Sequence, residues 1–163
     1  MNSIQIVTGY VPGGIGRIVE LHGTNYVADY GFGLYYEAKI ASELADFYTR
    51  YDSERMLAVL ALQEQKVLAS IFIDDEGNGL ARLRWFICDP MLRGQGIGTR
   101  LIDQAMQFCR DKQYKHIYLW TLAGLDAAET LYRRAGFKIS EEFIGEQWGP
   151  AVTERKMEYQ FQK

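Results

Sequence analysis

Arg93-Gly94-Gln95-Gly96-Ile97-Gly98-Thr99 is a stretch whose residue types could hold a phosphate. Glycine carries no Cβ, so a backbone rich in it can come close to a ligand. The flanks suit the task. Upstream, Ala81-Arg82-Leu83-Arg84-Trp85-Phe86-Ile87-Cys88 is an apolar-rich run of strand type that ends at Asp89-Pro90. Downstream, Leu101, Ile102, Ala105, Met106, Phe108 and Cys109 recur at helical spacing. The first N–H groups of a helix lack intrahelical partners, and together with the helix dipole they attract an anion. A strand, a glycine-rich turn and a helix start therefore predict a phosphate or pyrophosphate cradle.

Two familiar phosphate loops do not match. A P-loop carries Lys and then Ser or Thr after its last glycine, whereas Thr99-Arg100 follows Gly98. A dinucleotide fingerprint needs G-x-G-x-x-G behind an opening βαβ unit, but Gly94, Gly96 and Gly98 are spaced two and two. The pattern Arg/Gln-x-x-Gly-x-Gly/Ala is met by Arg93, Gly96 and Gly98. It resembles the phosphate-binding motif of the GNAT superfamily, the acyl-CoA-dependent N-acyltransferases. A second resemblance lies downstream. Ala128, Leu131, Tyr132 and Ala135 share a helical face, Asp126 and Glu129 read as a capping box, and Gly136 stands at the C′ position. The run Leu131-Tyr132-Arg133-Arg134-Ala135-Gly136-Phe137 is similar to the second hallmark of that superfamily. More loosely, Leu119-Trp120-Thr121 and the helix near Tyr36-Glu37 resemble the acetyltransferase domain of MarR–GNAT fusion proteins.

The resemblance implies an α/β (α+β) GNAT fold: a mixed, mostly antiparallel sheet, splayed central parallel strands and helices on both faces. The splayed pair corresponds to Ala81–Cys88 and Lys115–Thr121. The resemblance also implies acetyl-CoA as the acyl-donor cosubstrate. Its pyrophosphate would lie on Arg93, Gly94, Gln95, Gly96, Ile97, Gly98 and Thr99, and its pantetheine arm along the backbone of Ile87 and Cys88. Tyr132 takes the position of the general acid to the CoA thiolate. Glu37 is a candidate for binding or deprotonating the acceptor, a small amine or a peptide amine, and a homodimer is the expected assembly. Two departures stand out. Leu125 occupies the position where many members carry an Asn toward the pantetheine. Arg82 and Arg84 stand on the strand where a Glu base is often found. A non-catalytic acyl-CoA-binding sensor or regulatory partner is therefore the alternative reading.

The rest of the chain bounds these expectations. At 163 residues, with 48% hydrophobic and 24% charged residues, it reads as one globular domain over 1–163. A net charge of −3 argues against a nucleic-acid binder. No apolar run reaches the ~20 residues of a membrane helix, and Met1–Ile6 has no signal-like core. Cys88 and Cys109 fit neither a disulfide framework nor metal-ligand spacing, so no metal is expected and a reducing cytoplasm is the simplest location. Aromatic residues, 13% of the chain, hint at an aromatic-lined cleft.

The remaining elements read in order. Ser3–Tyr10 is a strand, and Pro12-Gly13-Gly14 turns it into a helix from Ile15 to about His22. A helical stripe of Tyr36, Ile40, Leu44, Phe47 and Tyr51 spans Leu34–Arg50. Met56–Gln63 and Lys66–Ile73 make a hairpin, and Asp74–Gly79 is a turn. Two strands, Phe137–Ile144 and Val152–Phe161, close the chain. Between them Trp148-Gly149-Pro150 either helps to close the acceptor pocket or marks a dimer contact.

Overall fold

The computed structural model describes residues 3–162; Met1, Asn2 and Lys163, the ends of the expected 1–163 domain, lie outside the described residues. The chain runs β1 (Gln5–Thr8), α1 (Gly14–Tyr30), α2 (Leu34–Thr49), β2 (Leu57–Gln63), β3 (Lys66–Gly77), β4 (Leu80–Cys88), α3 (Ile97–Asp111), β5 (His116–Leu122), α4 (Asp126–Arg134), β6 (Lys138–Gly145) and β7 (Val152–Gln160). The strands form one seven-stranded sheet in the order β1-β2-β3-β4-β5-β7-β6, with β4 and β5 as its parallel pair. The expected α/β architecture is present.

Each sheet face carries its own apolar layer. The layer between α3 and the sheet includes Leu101 and Met106 of α3 with Val59, Ile71, Ile117 and Met157. The layer between α1, α2 and the sheet includes Ile18, Leu44 and Phe47 of the helices with Leu60, Phe72 and Trp85. Alternate strand residues face opposite sides, which is why Leu60 and Ile71 serve different layers. Each fully buried Leu, Ile or Phe contributes about 1.5–3 kcal/mol relative to exposure.

Three local expectations need correction. The first helix does not end near His22 but continues to Tyr30, stopping at Gly31 (φ 69°), whose N–H turns back to Tyr26 and Val27 carbonyls. Gly23 does not break it. A Cβ at Gly23 would lie 2.6 Å from Glu37 Oε1, so this glycine instead allows α2 to pass close to α1. Second, Asp74–Gly77 belong to β3 rather than to a turn. Asp74 is buried, but Arg50 (3.2 Å) and Arg84 (3.1 Å) neutralise it, and Arg55 pairs with Asp75 at 3.2 Å. The turn itself is only Asn78-Gly79, both with positive φ (54° and 79°), a two-residue hairpin of the kind Asn-Gly favours. Third, Asp126 is the first residue of α4 and not its cap; Leu125 holds that place without a side-chain hydrogen bond. Glu129 bonds to Arg133 and Arg155, at 2.8 Å each, instead of reaching back to close a capping box.

Candidate active site

The open end of the sheet is made by β4. Its parallel ladder with β5 comprises Leu80–His116, Ala81–Ile117 and Arg82–Tyr118. Beyond Arg82 the two strands part. On the other edge a bulge falls between the pairs Phe72–Arg84 and Ser70–Ile87, where Trp85 and Phe86 face the single residue Ile71. An extra residue bends the strand that carries it. Trp85 takes a left-handed φ of 44°, uncommon for a bulky side chain, and is held there by Phe47 and Phe72 edge-on to its ring and by the Ser70 hydroxyl donating to its carbonyl at 2.7 Å.

The bulge decides where the end of β4 points its polar groups. The Asp89 N–H donates to the Leu68 carbonyl at 2.7 Å, and Cys88 stands opposite Ala69. Cys88 is thus at a non-hydrogen-bonded position of the antiparallel pair, with its own N–H and C=O directed away from β3. Those two groups face the space that β5 has left. Ile87, one residue earlier, is buried and registered with Ser70. Burial pushes the Cys88 thiol up to about 11.

The glycine turn follows directly. Asp89 accepts a hydrogen bond from the Met91 N–H (3.0 Å) at the start of a single 3-10 turn, Pro90–Leu92, and is fixed from α1 by Arg17 at 3.0 Å. The Gln95 amide donates to the Met91 carbonyl at 3.1 Å. Gly96 caps α3 in a left-handed conformation (φ 73°), and Ile97 is buried beneath the loop while Arg93, Gly94, Gln95 and Thr99 are exposed. Space beside Gly94 and Gly96 is open: a Cβ at either would meet nothing within 4 Å. Gly98 has a different reason to be glycine. A Cβ there would sit 2.9 Å from Leu131 and 3.4 Å from Phe86, so it allows α3, α4 and β4 to meet closely.

That contact brings in Tyr132. Its ring packs against Phe86 (5.8 Å between centroids) and Phe137 (6.0 Å), and it is 5% exposed. Burial, then the neighbouring Tyr26 and Cys88, hold its phenol well above the usual tyrosine range. The phenol therefore stays protonated at neutral pH and has a proton to donate. Gly136, with φ 103°, ends α4 at the expected place. Leu125, the residue at the Asn position, packs into the apolar layer of α1 and α2.

Tyr26 opens a group of rings that sequence reasoning missed. It contacts Tyr36 (5.1 Å), Phe32 (5.7 Å) and Tyr30 (5.8 Å), and Trp148 from the β6–β7 loop closes on Tyr36 (5.2 Å), Tyr35 (5.8 Å) and Phe32 (6.3 Å). His22, Tyr26 and Tyr30 recur at i, i+4, i+8, a signal hidden by ending α1 too early. Within this chain Trp148 closes the wall that the elbow between α1 and α2 begins. Glu37 stands outside it, exposed on α2 against Gly23. Arg84 is locked by Glu43 (2.6 Å) and Asp74, so β4 offers no carboxylate to this space.

The splayed strands, the turn with open glycines and the buried tyrosine agree with one family, and the family model for the acetyltransferase (GNAT) family matches residues 17–137. The chain belongs to the GNAT acetyltransferase family. The family's acyl donor is acetyl-CoA, and the open backbone at Gly94 and Gly96 and the free edge at Cys88 fit it. Among GNAT relatives, the chain is 31% identical to human N-acetyltransferase 8 over 110 residues, covering 64% of this chain and 48% of that protein. It is 32% identical over 70 residues to an uncharacterized N-acetyltransferase of Methanocaldococcus jannaschii, covering 43% of this chain and 31% of that protein. The chain thus spans about a third to a half of the length of the curated relatives it matches. A Salmonella typhimurium protein assigned as an acetyltransferase, solved with its cofactor acetyl-CoA, superposes with a TM-score of 0.78 at 14% identity over 99% of this chain and 96% of that one. At that identity the likeness is one of fold. Among the described residues no helix is long and apolar enough to cross a membrane, and no group of three or more His, Cys, Asp or Glu could hold a metal ion.

Proposed function

We propose that residues 1–163 act as one N-acetyltransferase domain that moves an acetyl group from acetyl-CoA to a primary amine, by direct attack, with Tyr132 as general acid. The observation that carries the reading is the meeting of three features at one end of the sheet: the free edge of β4 at Cys88, the amide turn at Arg93–Thr99, and the buried Tyr132, whose ring packs on Phe86 of β4 at 5.8 Å between centroids. Acetyl-CoA, when bound, supplies the activated acyl group and a thiolate that must be neutralised on leaving.

The chain's own residues divide the work. The amides of Gly94, Gly96, Ile97, Gly98 and Thr99 hold the pyrophosphate, with Arg93 and Gln95 beside them. Ile87 and Cys88 give the strand edge to the pantetheine, and the outward N–H of Cys88 stabilises charge developing on the acyl oxygen. The Tyr132 hydroxyl gives its proton to the departing sulfur. A Cys88 thiol with its pKa near 11 stays protonated at neutral pH, which supports direct attack over a covalent acyl-Cys route. Glu37 is proposed to attract the acceptor's positive charge from outside the ring wall. Free thiols at Cys88 and Cys109 support a reducing, cytoplasmic setting. A homodimer is the assembly we expect, checked by sedimentation.

The test is thiol release from acetyl-CoA across a broad amine panel with a no-amine control. Amine-dependent release is the expected result. Calorimetric CoA binding with no amine raising the rate would point instead to the acyl-CoA-binding sensor.

A further inference from the structure

Arg17, near the start of α1, takes no part in the chemistry proposed for this chain. Its side chain is 14% exposed, and each of its three guanidinium nitrogens meets an acceptor on a different segment. Nε donates to the Val67 carbonyl of β3 at 2.9 Å, one terminal nitrogen meets Glu20 of α1 at 3.0 Å, and the other meets Asp89 Oδ2 at 3.0 Å. Asp89 is docked on the same strand, where its N–H donates to the Leu68 carbonyl at 2.7 Å. Consecutive carbonyls of β3 therefore hold the two partners of the ion pair against each other. A planar guanidinium presents its donors in a fixed fork, so it serves all three acceptors at once.

Asp89 is also where the turn toward the cradle begins. Its Oδ1 accepts from the Met91 N–H at 3.0 Å and its carbonyl from the Leu92 N–H at 2.9 Å, while the Arg93 N–H donates to the Pro90 carbonyl at 3.2 Å. These bonds are internal to the turn, so they fix its shape and not where it stands on the sheet. Leu92, 4% exposed, roots it by apolar contact, which is non-directional. The Arg17–Asp89 pair adds direction, from a different element. An anion that needs several N–H groups at once binds more tightly the more completely those groups are in place beforehand. A pair that holds the turn before the ligand arrives lowers that ordering cost.

We infer that Arg17 is a positioning residue for the acyl donor: through Asp89 it sets the place of the turn that receives the CoA pyrophosphate, without touching the ligand itself. The inference rests on the reading of Arg93–Thr99 as that cradle, and the experiment separates the two. Calorimetry is run with CoA and with a pantetheine derivative that lacks the pyrophosphate, beside steady-state kinetics in acetyl-CoA. Arg17→Met should weaken CoA about 3–30-fold, the range of one charge-assisted hydrogen bond partly lost, and leave the pantetheine derivative within about twofold. The KM for acetyl-CoA should rise with kcat within about twofold, a split that general loosening of the fold would not produce. Arg17→Lys, whose ammonium reaches Asp89 or Val67 but does not fork to both, should fall between, and it carries the test if Arg17→Met fails to fold. In an Asp89→Asn background the further cost of Arg17→Met should shrink to within about twofold, because the pair is already broken. Unchanged CoA affinity in the folded Arg17 variants, equal loss for both ligands, or the same loss in the Asp89→Asn background overturns the inference. A native protein that binds CoA no more tightly than the pantetheine derivative overturns the cradle itself, and the role of Arg17 falls with it.

Discussion

Gly96→Ala isolates what the turn before α3 does. Gly96 is exposed, caps the helix at φ 73°, and a Cβ there meets no protein atom within 4 Å. The substitution adds no internal clash, so its whole cost is conformational. An L-residue in this region pays about 1–2 kcal/mol. If the free protein relaxes out of the left-handed conformation, the amides of Ile97, Gly98 and Thr99 turn with it. Binding a pyrophosphate must then restore the geometry and bear that cost, a loss of about 5–30-fold in affinity. The assay is calorimetry with two ligands, CoA and a pantetheine derivative that lacks the pyrophosphate. The predicted pattern is a weaker CoA complex and an unchanged pantetheine complex. Equal loss for both ligands would mean that the substitution acts on the β4 edge rather than on a phosphate cradle. Unchanged CoA affinity, with urea unfolding still showing the conformational cost, would refute the assignment of the turn.

Two further outcomes follow from buried titratable groups. His22 donates from Nδ1 to the Ile18 carbonyl at 2.8 Å, and burial lowers its pKa to about 4, against 6.5 in an open chain. The unfolded chain therefore binds the proton first: this contribution is fully present above pH 6.5 and is lost as pH falls toward 4. Between pH 7.5 and 5 urea titrations should show a loss of about 2 kcal/mol that His22→Phe largely removes, whereas equal slopes in both proteins would contradict it. For Cys88, whose pKa lies near 11, alkylation mapped by mass spectrometry should rise about tenfold per pH unit, with its midpoint near 11. A midpoint at neutral pH would revive a covalent route.

How far the sequence carried the reading depends on the range of the forces involved. The turn at Arg93–Thr99 and the stop at Gly136 were legible because both are local. Gly96 and Gly136 carry positive φ angles of 73° and 103°, a demand written in the residue type itself. The order of helices and strands along the chain was legible from alternation and helical stripes. Trp85 was not, since nothing in its type announces a bulge; its φ of 44° is sustained by Phe47, Phe72 and Ser70, all distant in sequence. Glu154 is a charged residue inside the expected strand Val152–Phe161, and its type does not announce burial. Its burial arises only when the β6–β7 loop folds Gln147 and Trp148 over it. Gly23 was equally silent: only the fold shows that it serves the crossing of α1 and α2 at Glu37. Gly98, grouped by its spacing with the cradle, has a packing role toward Leu131 that only tertiary structure could show.

Tyr132→Phe tests the central claim most directly, with thiol release from acetyl-CoA under saturating amine and calorimetric CoA affinity measured on the same preparations. The account predicts kcat lower by about 10²–10⁴-fold, the usual worth of a positioned general acid, with CoA affinity unchanged. Full activity in the variant, or a loss that merely follows weaker CoA binding, would contradict it.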